Sequence, residues 1–400
     1  VSQIDLVDGY PRFLEAVDFV KGPEIGLNLY SQDQLDRLFV HYSDELRVGM
    51  TDRKSSLAMY DTLLSPVQIE QVPKDREAAV IVIGGTKLRA GFVKKENGHM
   101  KQTEYFEEEW DKKKFDTPEE FCAYTLKKLA PFMNNSNPNA LAIVWAFGGK
   151  AIRRNNEQGI DVVSVEDLMK EFEIPGISNK PVGELFMDHL TRTYGWDSRI
   201  PIAVMNDTRA VGGGILGTGF NLLAKGRYNS ESGHYNIAVG LGEEVSILDK
   251  EIDEKSERPS RALTEKRIAG QYLGELFKVV IEKLENKGLL TQKVLHKSPE
   301  FISRILKFGL DKALVYEYAD PYLMATLMFV ANQVITRAAQ IFGTMVGSLI
   351  RTFPDDYPVD QIDFPMEGSV FWRIPSFKLK AEEYANHYMR QTGKKVNFIK

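Results

Sequence analysis

Asn206-Asp207-Thr208 follows directly on the apolar run Ile202-Ala203-Val204 with Met205, and Gly217-Thr218-Gly219 comes nine residues after it. An apolar run that ends in polar residues and leads to a glycine-rich segment predicts a buried strand delivering a carboxylate to a turn. A carboxylate at a strand end can take a proton from an alcohol, and glycines let backbone N–H groups approach phosphate oxygens with no side chain between. Phosphoryl transfer to a hydroxyl needs both. The same residue types also build ordinary polar turns between core elements, so this segment alone leaves the chemistry open.

The elements that would position these residues follow from periodicity. The first seventy-odd residues read as helical, with Leu35, Leu38, Phe39, Tyr42 and Leu46 at helical spacing and an end near Pro66 and Pro73. From Ala78 the pattern changes to apolar run (Ala78–Ile83), Gly84-Gly85-Thr86, and a second run (Leu88–Val93), which predicts strand, glycine turn, strand. That order separates the turn from a dinucleotide fingerprint or a Walker loop, whose glycines must open a helix. Thr117 followed by Pro118-Glu119-Glu120 signals a capped helix through about Met133. Leu141–Phe147 reads as a buried strand, and Val165–Phe172 and Gly183–Tyr194 as helices leading to the strand at 202. Strands alternating with helices argue for a layered α/β fold. Tyr235–Leu248 reads as two more strands, after which Ile268, Leu273, Leu276, Val280 and Leu284 form one helical stripe and Val334, Ala338, Ile341, Met345 and Leu349 another.

Composition narrows the function classes. Lys and Arg number 51 against 56 Asp and Glu, a formal charge of −5, so there is neither a basic nucleic-acid footprint nor an acidic tail. The longest apolar tract, Tyr322 to Ala331, is about half of the roughly 20 residues a membrane span needs, which predicts a soluble protein. Cys122 is the only cysteine, which excludes an intrachain disulfide, fits a reducing, cytoplasmic compartment and marks a packing residue. The six histidines show no metal-ligand spacing, and no metal site is expected from side chains alone.

Taken in chain order, these segments resemble the hexokinase family of sugar kinases over about residues 33–400. Gly84-Gly85-Thr86-Lys87-Leu88-Arg89 is similar to the family's first phosphate segment, Asp-Leu-Gly-Gly-Thr-Asn-Phe-Arg. Asn206-Asp207-Thr208 matches the catalytic Asn-Asp-Thr, and Gly217-Thr218-Gly219-Phe220-Asn221 the Gly-Thr-Gly-Thr-Asn turn. The stretches Asp249–Asp253, Glu265–Glu275 and Thr336–Ala339, and Gly368-Ser369-Val370 with Pro375-Ser376-Phe377, complete the set. The resemblance implies a two-lobed, actin-like (ribonuclease H-like) α/β fold that closes over a small-molecule sugar and ATP with magnesium, with no nucleic-acid or membrane partner. It divides the chain into an N-terminal helical segment (1–75) packing on the large lobe, a small lobe (76–205) and a large lobe (206–400). Asp207 would be the general base. Ser164, Asn206, Asn236 and Glu265 would contact the sugar, and Gly84, Gly85, Thr86, Lys87, Arg89, Gly217, Thr218, Gly219, Gly368 and Ser369 the phosphates.

Departures from the family pattern fall on functional positions. Val82 stands where the first phosphate segment begins with a magnesium-holding aspartate, which removes an anchor for the cation. The sugar-binding Phe-Ser-Phe-Pro is Trp145-Ala146-Phe147-Gly148, and Trp-Thr-Lys maps on Val163-Ser164-Val165. Asn-x-Glu-Trp-Gly is Asn236-Ile237-Ala238-Val239-Gly240, so a second sugar carboxylate is missing. Each buried polar partner left unpaired costs about 1–3 kcal/mol, so weak glucose binding is expected. The sequence ends at Lys400, where the resemblance would continue into Gly-Ser-Gly-Lys-Gly. Two functions follow: a divergent hexose or polyol kinase using Asp207, and a catalytically impaired relative that binds a sugar or a partner as a sensor.

Overall fold

A computed structural model describes residues 3–51, 55–57, 59–63, 77–96, 99–133, 138–147, 149–153, 159–163, 172–242, 246–256, 258–290, 294, 320–374 and 376–400. The chain forms two compact units, one of residues 1–58, 214–222 and 230–400, the other of residues 59–213 and 223–229. The divisions at 58/59 and 213/214 differ from the sequence-based boundaries at 75/76 and 205/206, and they leave Asp207 in the same unit as the strand before it.

The larger unit opens with α1 (Gln3–Lys21) and α2 (Gln32–Gly49). Helix α2 begins at a capping box, in which the Ser31 hydroxyl accepts from the Gln34 N–H and the Gln34 side chain accepts from the Ser31 N–H. The chain then builds the smaller unit: β1 (Tyr60–Asp61), β2 (Glu77–Ile83), β3 (Lys87–Glu96), β4 (His99–Glu109), α3 (Pro118–Lys128), α4 (Ala130–Met133), β5 (Ala140–Trp145), β6 (Lys150–Arg153), β7 (Gly159–Val163), α5 (Val182–Tyr194), β8 (Ile202–Asn206) and α6 (Asp207–Val211). Its seven-stranded sheet runs β4-β3-β2-β5-β8-β7-β6, with β2, β5, β8 and β7 parallel and antiparallel strands at both flanks. The Gly84–Thr86 turn joins β2 to β3 as the sequence predicts, and Thr117 caps α3 with Pro118 in its first turn. Alternation along β2 and β5 buries Ile81, Ile83, Ile143 and Trp145 against a core shared with Phe121, Leu126, Phe186 and Leu190 of α3 and α5. The helix expected over Val165–Phe172 lies outside the described residues except for Phe172, which is not helical. The expected end of the N-terminal segment near Pro66 and Pro73 lies outside them too.

The chain returns to the larger unit with β9 (Gly214–Leu216) and β10 (Phe220–Ala224), and β11 (Tyr228–Asn229) belongs to the smaller one. Next come α7 (Ile237–Leu241), α8 (Ile247–Lys255), α9 (Glu265–Ile268), α10 (Gly270–Asn286), α11 (Pro321–Thr352), β12 (Gln361–Glu367), α12 (Ser369–Arg373), α13 (Phe377–Met389) and β13 (Lys395–Ile399). Strand β9 pairs antiparallel with β10 and parallel with β12, which pairs parallel with β13. Helix α11 is the axis of this unit, buried on nearly all sides from Gln333 to Ile350 and packed against α2 and α13. Small residues allow that approach: a Cβ on Gly343 would stand 2.5 Å from the Ala381 carbonyl oxygen of α13. Two expectations are corrected here. The described residues of 235–248 form no strands. Ile237–Leu241 is instead a helix that packs on α2 and stops at Gly242 in left-handed conformation, and the segment's end enters α8. A short apolar run suits a buried helical turn as well as a strand, and packing on α2 decides between them. The stripe from Ile268 to Leu284 is also broken, because Ala269 is extended between α9 and α10.

Candidate functional site

In the smaller unit the strand ends set the site. Ile83 pairs with Trp145 and Trp145 with Asn206, so β2, β5 and β8 finish level and release Gly84, Ala146 and Asp207 at one edge of the sheet. Adjacent strands are about 4.8 Å apart, which puts the β2 and β8 exits roughly 10 Å apart. The glycine turn is braced from below. Gly84 N–H donates to the Lys87 carbonyl at 3.1 Å, the Trp110 indole donates to the Gly84 carbonyl at 2.9 Å, and the Trp110 N–H to that of Thr86 at 3.3 Å. A Cβ on Gly84 would meet the Lys87 carbonyl oxygen at 2.9 Å, so the turn has no room for a side chain there. With Gly85 beside it and Thr86 exposed, the turn presents backbone rather than side-chain bulk.

Asn206 ends β8 and caps α6. Its Oδ1 accepts from Thr208 N–H at 2.9 Å, while its Nδ2 reaches toward the Trp145 and Phe147 carbonyls at 3.4 and 3.5 Å. Asp207 is half-buried at the first position of α6, and its Oδ1 shares the same Thr208 N–H at 2.8 Å. The carboxylate is thereby fixed at the strand end by the cap. Lys87 and Arg89, one strand pleat apart on β3, both donate to Glu107 of β4, with Arg89 at 2.7 Å, and the Tyr105 hydroxyl adds a third donor at 2.7 Å. Those donors hold the Glu107 carboxyl down at about 2. Lys87 is therefore tied to a carboxylate on β4. Nothing in the hexokinase-like motif names Glu107, which only strand pairing brings opposite Arg89.

In the larger unit the second glycine turn is walled by backbone. Gly270 N–H donates to the Gly217 carbonyl at 2.7 Å, bringing the start of α10 onto the turn. A Cβ on Gly217 would lie 3.5 Å from Gly368 Cα, and one on Gly368, whose φ is +124°, would strike the Leu216 carbonyl oxygen at 2.1 Å. Gly217, Gly219, Gly368 and Ser369 thus gather around the β9–β10 turn, with Thr218 exposed at its tip. Glu265 lies beside it, its Oε2 accepting from Phe220 N–H at 3.0 Å. Asn236 precedes α7, and its Oδ1 is buried with no hydrogen-bond partner among the described residues. Buried amide oxygens are seldom left so. Ser164 lies outside the described residues. The packing roles of Gly270 and Trp110 carry no motif that sequence reasoning could isolate.

Two α/β units, each with a glycine turn between strands, one of them carrying a strand-end carboxylate, define the actin-like ATPase (ribonuclease H-like) fold. The family comparison is more specific. One hexokinase model matches residues 28–212 and a second matches residues 224–400, and the chain belongs to the hexokinase family. The solved structure of Schistosoma mansoni hexokinase complexed with glucose is similar in fold, with a TM-score of 0.75 at 18% identity over 98% of this chain and 96% of that one. Kluyveromyces lactis hexokinase is 22% identical over 88% of this chain and 82% of its own length. The alignment with Saccharomyces cerevisiae hexokinase-1 is 25% identical over 64% of this chain and spans 60% of that protein, and that with human hexokinase-1 spans 33% of it. No described helix is long and apolar enough to cross a membrane.

Proposed function

We propose that the chain is an ATP-dependent sugar kinase that transfers the γ-phosphate to a hydroxyl of a hexose or related polyol, with Asp207 as general base. The observation that carries this reading is the level ending of β2, β5 and β8, which releases the Gly84–Thr86 turn and Asp207 along one edge. Asp207, oriented by the Thr208 amide, takes the proton from the attacking hydroxyl. Asn206, Asn236, Glu265 and Ser164 bind sugar hydroxyls, and the unpartnered Asn236 Oδ1 supports that role for one of them. Gly84, Gly85, Thr86, Gly217, Thr218, Gly219, Gly368 and Ser369 offer backbone to the phosphates, and Lys87 and Arg89 offer positive charge.

Both glycine turns are so tight that a Cβ on Gly84 or Gly368 would strike backbone oxygen, and a turn without side-chain bulk suits phosphate oxygens. For magnesium the fit is poorer. Val82 offers no oxygen, and among the described residues no three His, Cys, Asp or Glu side chains gather to hold a metal. Magnesium carried on the nucleotide would be held by phosphate oxygens and water, and it would supply charge neutralisation. The cytoplasm suits a chain whose only thiol is buried and unpaired. Val82 and Ala238 together favour a second reading, a catalytically impaired hexokinase-like protein acting in sugar sensing or partner binding. A coupled assay over hexoses, amino sugars and polyols, run beside thermal shift with the same compounds, separates the two. Turnover of any acceptor supports the kinase, whereas stabilisation by a sugar with no turnover supports the sensor.

A further inference from the structure

The larger unit holds a partly open cavity of about 190 Å³ that none of the residues assigned above to sugar or phosphate lines, although Ala238 stands at the position of the family's second sugar carboxylate. Ala238 of α7, Ile252 of α8 and Leu263 form its apolar wall, and Lys250, Lys266 and Arg267 bring positive charge to it. Two carboxylates also face it. Asp253 is fully answered: Lys266 Nζ donates to it, and Ser260 N–H donates to both its oxygens at 3.0 and 2.9 Å. Asp249 is not balanced in the same way. It pairs bidentately with Arg337, and Arg267 Nη2 lies a further 3.3 Å from the same Oδ2, with both guanidiniums almost wholly buried. The Tyr30 hydroxyl accepts from Arg337 at 2.8 Å and from Arg267 at 3.2 Å without adding a charge. Two buried guanidiniums therefore share the single carboxylate of Asp249, and among the described residues no acid answers the exposed Lys250.

Two buried cations on one carboxylate leave a net positive charge that is costly to bury, and an anion in the adjoining space offsets it. The loop closing the cavity is held in a demanding conformation, with Ser260 at φ +66° and Ala262 at φ +52°, both left-handed without being glycine. We propose that this cavity binds a small organic anion, a carboxylate or phosphate monoester on a short apolar body. The anionic head lies against Arg267 and Lys250, and the body against Ala238, Ile252 and Leu263. Neither the site nor its ligand depends on the kinase reading.

An apolar cavity of about 150 Å³ holds benzene, which makes benzoate a matched probe and benzamide its neutral isostere. Titration calorimetry of the whole chain with benzoate, phenyl phosphate, benzamide and inorganic phosphate tests the site. Benzoate or phenyl phosphate should bind and benzamide should not. Lys250→Met should weaken that binding about tenfold through the lost charge-assisted contact, and Ala238→Leu should abolish it by filling the apolar wall. Lys250 is exposed, so its variant keeps the test intact if Ala238→Leu fails to fold. Benzamide binding as tightly as benzoate would overturn the proposal. So would failure of both organic anions to bind, inorganic phosphate binding alone, or anion affinity unchanged in Lys250→Met.

Discussion

Asp207 owes its position to a five-residue helix whose cap is its own neighbour, so removing its charge leaves the backbone in place. Asp207→Asn should lower turnover about 10²–10⁴-fold, the usual effect of losing a general base, while sugar-induced thermal stabilisation persists. Val82→Asp, in a half-buried position on β2 next to the glycine turn, should raise activity or sharpen its magnesium dependence by restoring an oxygen ligand. A magnesium titration of both proteins in the coupled assay would show it; an unchanged profile would remove Val82 as the cause of any impairment. Arg209, two residues beyond the base, is 8% exposed, with Nε and Nη2 buried and without a hydrogen-bond partner among the described residues. Burial pulls its pKa down. Replacing an uncompensated buried charge by a residue of similar length should help the fold, so Arg209→Met should stabilise the chain by about 1–3 kcal/mol in urea unfolding.

At the scale of elements, helix α5 starts at Pro181, which has no side chain to cap it. The cap comes from another strand. Asp161 of β7, fully buried, accepts from Val162 N–H at 2.7 Å and Gly183 N–H at 2.6 Å on Oδ1, and from Glu184 N–H at 3.0 Å on Oδ2. Asp161→Ala should cost about 2–4 kcal/mol, since the freed amides stay buried, and equilibrium denaturation measures it directly. Such a cap between distant segments is invisible in sequence, where Thr117 before Pro118 is plain because cap and helix are adjacent. The same distinction explains what else could be read. The strand–turn–strand around Gly84 and the strand ending at Asn206 show in local pattern alone. The helix at Ile237–Leu241 does not, because its packing on α2 comes from residues two hundred positions away. The candidate residues themselves were legible as motifs, but the Glu107 carboxylate that ties up Lys87 and Arg89 depended on the register of β3 with β4.

For the molecule as a whole, the buried ion network around Asp249 links stability to pH. Burial would raise the Asp249 pKa, but Arg337 and Arg267 outweigh it and hold the carboxyl below its ordinary value. A depressed folded pKa gives stability that is fully present above the unfolded value, about 3.9, and is lost as pH falls through the folded one. Denaturation midpoints should therefore fall as the pH drops below about 4. Asp249→Asn should be less stable by about 3–5 kcal/mol at neutral pH and show a shallower acid decline. The interleaved order of the two units has a consequence for synthesis. Ser43 of α2 bonds Ser348 of α11 at 2.7 Å across 305 positions, and the Tyr30 N–H bonds the Gln340 side chain at 3.0 Å across 310, while the seven-stranded sheet is built entirely from residues 77–206. A ribosome adding about 5–20 residues per second releases that sheet whole while α2 waits roughly 15–60 s for its partner. Protease challenge of stalled nascent chains should thus find the sheet protected first, with the amphipathic face of α2 open to chaperones until α11 has emerged.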